Sequence, residues 1–183
     1  MNKESQQGQG DNALLALARA SIAAKFTSQQ VRPECFEARH QACFVTLTLD
    51  GKLRGCIGTL EAQQPLALAV ARYAKAAAFD DHRFAPLTLA ELDQVKISIS
   101  ILGPMLPMQV ASFDDLYRQL RPHLDGVTVQ LAGRRATFLP QVWQSLPEPS
   151  QFIAALLQKA GLEQATWSDD MAWSRYQTHS ISE

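Results

Sequence analysis

The chain has almost no excess charge of either sign: 17 Lys and Arg stand against 18 Asp and Glu, a net charge of −1 at neutral pH. No long-range field therefore steers it toward nucleic acid or anionic lipid. Long apolar runs are missing as well. Arg19, Lys25, Arg72 and Lys75 interrupt the longest stretches, well short of the roughly 20 residues needed to cross a bilayer. The opening MNKESQQGQGDN lacks the apolar segment of a secretory signal. Cysteine is scarce: Cys35, Cys43 and Cys56, an odd number with no CxxC pair. That fits reduced thiols in a cytoplasmic protein better than a disulfide framework, and removes the usual thiolate zinc sites. Neither a GxGxxG nor a Walker loop occurs, so a nucleotide fold has no motif behind it.

What is present suits one domain of 183 residues with a real hydrophobic core, 46% of the residues being hydrophobic. Residues 1–11 are polar and read as a disordered lead-in, with a single domain over 12–180. Apolar residues at helical spacing (Leu14, Leu15, Ala18, Ile22, Phe26) predict a first helix over about 11–26. CFVTLTL at 43–49, then Asp50-Gly51, then KLRGCIGTL is a strong hairpin pattern. Pro65 opens an Ala-rich helix to Phe79, and Thr88 with Glu91 has capping-box spacing. Val95–Ile101 alternates with period two and predicts a half-buried strand. Pro104 and Pro107 bound a loop, and Ser112 with Asp115 starts a short helix. Strands follow at 127–131 and 136–139, then a helical turn from Pro140 and a helix from Gln151 to Ala160 capped by Ser150 and Gly161. Residues 171–178 predict the last strand. Hairpins with helices inserted between them give an α+β fold, an antiparallel sheet with flanking helices.

The hexapeptide Arg54-Gly55-Cys56-Ile57-Gly58-Thr59 resembles the signature of the AMMECR domain family, called AmmeMemoRadiSam system protein A in prokaryotes. Further stretches match in order: FVTL at 44–47, Asp81-x-Arg83-Phe84-x-Pro86, Glu91-Leu92, Asp125-Gly126, ATFLPQVW at 136–143 and QKAGL at 158–162. The resemblance runs from about residue 12 to 178. It implies a two-lobed α+β fold with the signature residues near a cleft between the lobes. It also implies two companions, a Memo-like protein of the non-haem iron dioxygenase superfamily and a radical S-adenosylmethionine protein. It names neither a reaction nor a cofactor. This chain departs from the family pattern at His82, where proline is common, and at Leu157, where many members have cysteine.

The candidate catalytic residue is Cys56. On a regular strand Arg54 would share its face, and a guanidinium beside a thiol favours the thiolate. Gly55 and Gly58 would let a ligand or another backbone approach closely, and Thr59 could hydrogen-bond a ligand. Asp81, Arg83 and Phe84 complete the candidate binding set. Set against this, a free cysteine is often a small packed apolar residue, and Asp81 and Arg83 at a helix exit often pair with their neighbours. Trp143 reads first as core packing, and Glu91 as the capping partner of Thr88. Two functions stay open. One is a binding or accessory component acting with the Memo-like and radical proteins. The other is an enzyme using Cys56 and Arg54 on a small anionic substrate.

Overall fold

The computed structural model describes residues 3–27, 30–33, 39–164 and 167–183; Cys35 lies outside them. The chain divides into two compact units, residues 1–102 with 179–183, and residues 103–178. Each carries a four-stranded antiparallel sheet and its own core. The expected α+β class is therefore met, with two sheets.

In the first unit the order is α1 (Lys3–Ala23), β1 (Cys43–Leu49), β2 (Lys52–Gly58), α2 (Leu66–Phe79), α3 (Leu89–Leu92) and β3 (Lys96–Leu102). α1 starts at Lys3 rather than near Asp11, so most of the stretch expected to be a disordered lead-in is helical in its backbone. Its Lys, Glu and Gln are good helix formers, and the space around Gly8 and Gly10 is open. The hairpin turn forms at Asp50-Gly51 with φ of 50° and 74°, the pairing that a two-residue loop demands. Sheet order is β2-β1-β3-β8, where β8 is Thr178–Ser182. Alternation divides the sheet into two faces. Cys43, Val45 and Leu47 of β1 and Ile97, Ile99 and Ile101 of β3 are buried, in one core with Ala18, Ile22, Val70 and Ala74 of the two long helices. Phe44 and Thr46 point the other way, opposite Ser100 and Ser98.

The second unit runs β4 (Leu106–Met108), α4 (Phe113–Gln119), β5 (Gly126–Leu131), β6 (Arg134–Phe138), a 3-10 turn at Pro140–Gln144, α5 (Pro149–Lys159) and β7 (Ala172–Tyr176). Sheet order is β4-β7-β5-β6. Ser112 caps α4 as its spacing predicts, accepting from the Asp115 N–H at 3.2 Å. Ser150 does not cap α5, which begins one residue earlier with Pro149 at its first turn. The strand expected over 171–178 ends at Tyr176. After Gln177, whose carbonyl accepts from the Gly103 N–H, the chain enters the other sheet as β8. Trp143 is fully buried, stacked on Phe152 at 3.8 Å between ring centroids, and donates its Nε1–H to the Asp125 carbonyl at 2.7 Å. Trp173 is 2% exposed, yet its Nε1 has no hydrogen-bond partner among the described residues.

These two indoles predict unequal costs. Trp143→Phe orphans a buried carbonyl, at about 2–3 kcal/mol. Trp173→Phe removes an unsatisfied donor along with some ring volume, and should cost about 1 kcal/mol or less. Urea denaturation followed by circular dichroism measures both. Equal losses would show that ring volume alone decides.

Candidate functional site

The signature hexapeptide lies on β2, an edge strand of its sheet. A regular hairpin closed at Leu49 and Lys52 would pair Thr46 with Gly55 and Leu47 with Arg54. The observed register keeps Thr48 opposite Leu53, then shifts, so that Leu47 meets Gly55 and Thr46 meets Cys56. Arg54 is the extra residue of a β-bulge. Bulges bend a strand and re-aim the side chains beside them. Without this one, Arg54 would stand opposite Leu47, on the face that packs the core.

Arg54 and Cys56 consequently do not form the pair a regular strand implies. The Arg54 guanidinium turns to Glu91, donating from Nε at 2.9 Å and from Nη2 at 3.1 Å. It also reaches the carbonyls of Ala85 and Pro86, at 2.8 and 3.4 Å. Glu91 accepts in addition from the Thr88 N–H at 2.8 Å and the Thr88 hydroxyl at 2.9 Å. The capping residue is thus also the arginine's counter-ion. Arg54 beside it, then the Thr88 bonds, hold the Glu91 carboxyl down at about 2, well below its ordinary range.

Cys56 is half-buried, and its Sγ accepts from the Thr46 hydroxyl at 3.3 Å. Its backbone points outward from the sheet edge. There the Asp81 carboxylate accepts the Cys56 N–H at 2.9 Å, and Arg83 Nη2 donates to the Cys56 carbonyl at 3.4 Å. Asp81 and Arg83 are themselves a two-point pair, at 2.9 Å from Nε and 2.7 Å from Nη2. Arg83, then the two backbone N–H groups, drive the Asp81 carboxyl far below its usual range. Phe84 is half-buried under the clip, with the Arg83 guanidinium carbon 5.4 Å from its ring centroid. His82 is exposed, and the side-chain partner of Cys56 is Thr46. Cys43 lies in the core, where burial pushes its thiol up to about 12.

Of the two neighbours expected beside the glycines, a ligand or another backbone, the structure shows backbone. A Cβ on Gly55 would collide with the Ala77 carbonyl of α2, and one on Gly58 with the Cys43 carbonyl and Phe44. These residues let a helix and a neighbouring strand close on β2. Thr59 donates its N–H to the Cys43 carbonyl at 3.0 Å and accepts from the Glu61 N–H at 3.1 Å. Leu157 is fully buried in the second unit. No cluster of His, Cys, Asp or Glu suited to a metal ion occurs among the described residues. The partners that the residue pattern did not single out are Thr46, Glu91 as an ion-pair partner, and Ala77. All three follow from the bulge and from contacts far apart in the chain.

Each unit is thus an antiparallel sheet with helices of its own, and the first presents an edge strand held by two arginine–carboxylate pairs. The chain belongs to the AMMECR1 family, whose profile matches residues 15–181. It is 37% identical over 135 residues to a protein of Methanothermobacter thermautotrophicus, covering 71% of this chain and 68% of that one. A Thermotoga maritima protein is 38% identical over 146 residues, 79% of either chain. A Thermofilum pendens relative, 37% identical, is matched over 55% of its own length. The crystal structure of an uncharacterized protein, PH0010 from Pyrococcus horikoshii, superposes with a TM-score of 0.85 at 27% identity, over 93% of this chain and 89% of that one. No described helix is long and apolar enough to cross a membrane.

Two outcomes test the site's construction. Gly55→Ala forces the Ala77 backbone to move and should cost about 3 kcal/mol, the upper end for overpacking. Gly51→Ala meets open space, and only its φ of 74° penalises it, by about 1 kcal/mol. The second outcome concerns acid. Glu91 has a folded pKa depressed from 4.5 to about 2. Its contribution is present above the ordinary carboxylate range and is lost as pH falls through about 2. Glu91→Gln should therefore lower stability at pH 7 and flatten the loss between pH 5 and 2, as read from denaturation midpoints across that range. An unchanged acid limb would remove Glu91 from the account.

Proposed function

We propose that the chain is a binding or accessory component, not a catalyst in its own right, and that it acts with a Memo-like protein and a radical S-adenosylmethionine protein. Its recognition surface is the β2 edge with the 81–91 segment laid along it: Arg54, Gly55, Gly58 and Thr59 shape the strand, and Asp81, Arg83 and Phe84 the segment. The observation carrying this reading is the closed set of partners around Cys56. Arg54 commits its Nε, Nη1 and Nη2 to Glu91 and two carbonyls. It has little left for an anionic substrate group. Asp81 and Arg83 bind each other and the strand backbone. The thiol faces a threonine hydroxyl where a nucleophile would need a base.

Such a closed, ion-paired edge suits recognition by side chains. Its outward groups at Cys56 are already bonded, so a partner does not add a strand there. Leu53, 44% exposed, stands next to Arg54 as an apolar contact.

The test is capture of the Memo-like and radical proteins, each tagged, from the same source. Wild-type protein should be retained, and Leu53→Glu should lower retention by about tenfold or more, a loss of about 1.4 kcal/mol. Cys56→Ser should bind within about threefold of wild type, because the thiol only accepts one hydrogen bond. No retention at tens of micromolar, or retention indifferent to Leu53→Glu, sinks the reading. An activity lost completely in Cys56→Ser would instead favour the thiol enzyme.

A further inference from the structure

The second unit carries an aromatic corner that the β2 surface does not use. Phe113 and Tyr117 are four residues apart on α4, so their rings share one face of the helix. The rings stack at 6.0 Å between centroids with planes 15° apart. Trp167 meets Phe113 at 5.1 Å and 78°, nearly at right angles. All three side chains are half-buried. Phe113 and Tyr117 pack their inner sides on the core of this unit.

The rim of the corner is acidic. The Trp167 Nε1–H donates to Asp169 at 3.1 Å, which fixes the indole and sets a carboxylate at its edge. Asp170 follows and is exposed. On α4, Asp114 lies next to Phe113, close enough to raise the Tyr117 hydroxyl's pKa, after burial as the larger cause. Asp115 accepts from the Ala111 N–H at 3.1 Å and lies 3.7 Å from Arg118. Four carboxylates therefore lie within three residues of these rings along the chain, and one of them, Asp115, is paired with Arg118.

Half-buried aromatic rings with carboxylates beside them match one ligand chemistry. A cation over a ring face is drawn by the ring quadrupole, and nearby negative charge adds to the attraction. We infer that the Phe113–Tyr117–Trp167 corner docks a lysine or arginine side chain from a basic segment of a partner protein. The occupant is cationic because the rim is negative. It is a side chain because the apolar stem of a lysine or arginine can lie along the exposed part of the rings while its charge meets the carboxylates. This surface lies wholly in the second unit and does not depend on the reading of the β2 edge.

The experiment uses the full chain and a hexalysine peptide, with hexaglutamate as control. Trp143 and Trp173 are 0% and 2% exposed, so a change in tryptophan emission on titration reports chiefly on Trp167. Hexalysine should give a saturable change that weakens as salt is added, and hexaglutamate none. Trp167→Leu, followed by tyrosine emission and calorimetry, should weaken binding about tenfold. Trp167→Phe keeps a ring face and should stay within about threefold, which guards against a simple folding defect. Asp169→Asn with Asp170→Asn should also weaken binding about tenfold, whereas Leu53→Glu should leave it unchanged. Binding equally tight in Trp167→Leu and wild type would mean diffuse charge attraction and overturn the proposal. So would no saturable binding of hexalysine at low salt.

Discussion

The extra residue at Arg54 shifts the β1–β2 register by one, and the arrangement of the hexapeptide depends on that shift. It takes a guanidinium off the core face, where an unpaired charge would cost several kcal/mol. In the same step it puts Gly55 on that face, the residue whose missing side chain admits the Ala77 carbonyl. It also carries Cys56 opposite Thr46, giving the thiol its hydrogen bond. The displaced guanidinium finds Glu91, which is already ordered by Thr88. The bulge, the glycine, the arginine and the capping box are therefore one construction. A change at any of them is felt by the others, and single substitutions here should not add independently.

A second constraint is the exposed sheet edge, and both units meet it in the same way. An edge strand presents outward N–H and C=O groups that invite pairing with another chain. At β2 one outward pair is that of Cys56, and there Asp81 with Arg83 stands in for a neighbouring strand. At β6, the edge of the other sheet, Lys159 at the end of α5 donates to the Thr137 carbonyl at 3.0 Å. Lys159 also sits 5.0 Å from the Phe138 ring centroid. Behind each blocked carbonyl lies a cross-strand polar contact, Thr46 with Cys56 and Thr128 with Thr137, the latter at 3.0 Å. Segments that match the family in sequence, Asp81 to Phe84 and Gln158 to Leu162, thus contain residues that close edges.

Much of this was legible in the residues and some was not, for physical reasons. Asp50-Gly51, the isoleucines of β3, Thr88 with Glu91 and Ser112 with Asp115 are local devices. Each works within a few residues, so its spacing carries its meaning. The bulge is not local in that sense. Arg54 on a regular strand and Arg54 in a bulge are the same letter, and only the registry of β1 against the core decides between them. The break after Tyr176 escaped for a related reason. The stretch 171–178 holds neither glycine nor proline to mark a break, and what divides it is the passage of the chain from one sheet to the other. The short β4 contains Pro107, which reads as a loop residue and is tolerated only because β4 is an edge strand.

The closed edge also limits what Cys56 can be. A reactive thiol needs access, a base and a cation free to hold the thiolate. Arg83 is the cation beside Cys56, but it donates two bonds to Asp81 and one to the Cys56 carbonyl. To serve the thiolate it would have to give up part of the clip and leave the edge open. Catalysis by this thiol would thus run against the interactions that keep β2 in place. Recognition by the outer faces of the same residues would not. That asymmetry is why we propose a site which holds a partner rather than one which transforms a substrate.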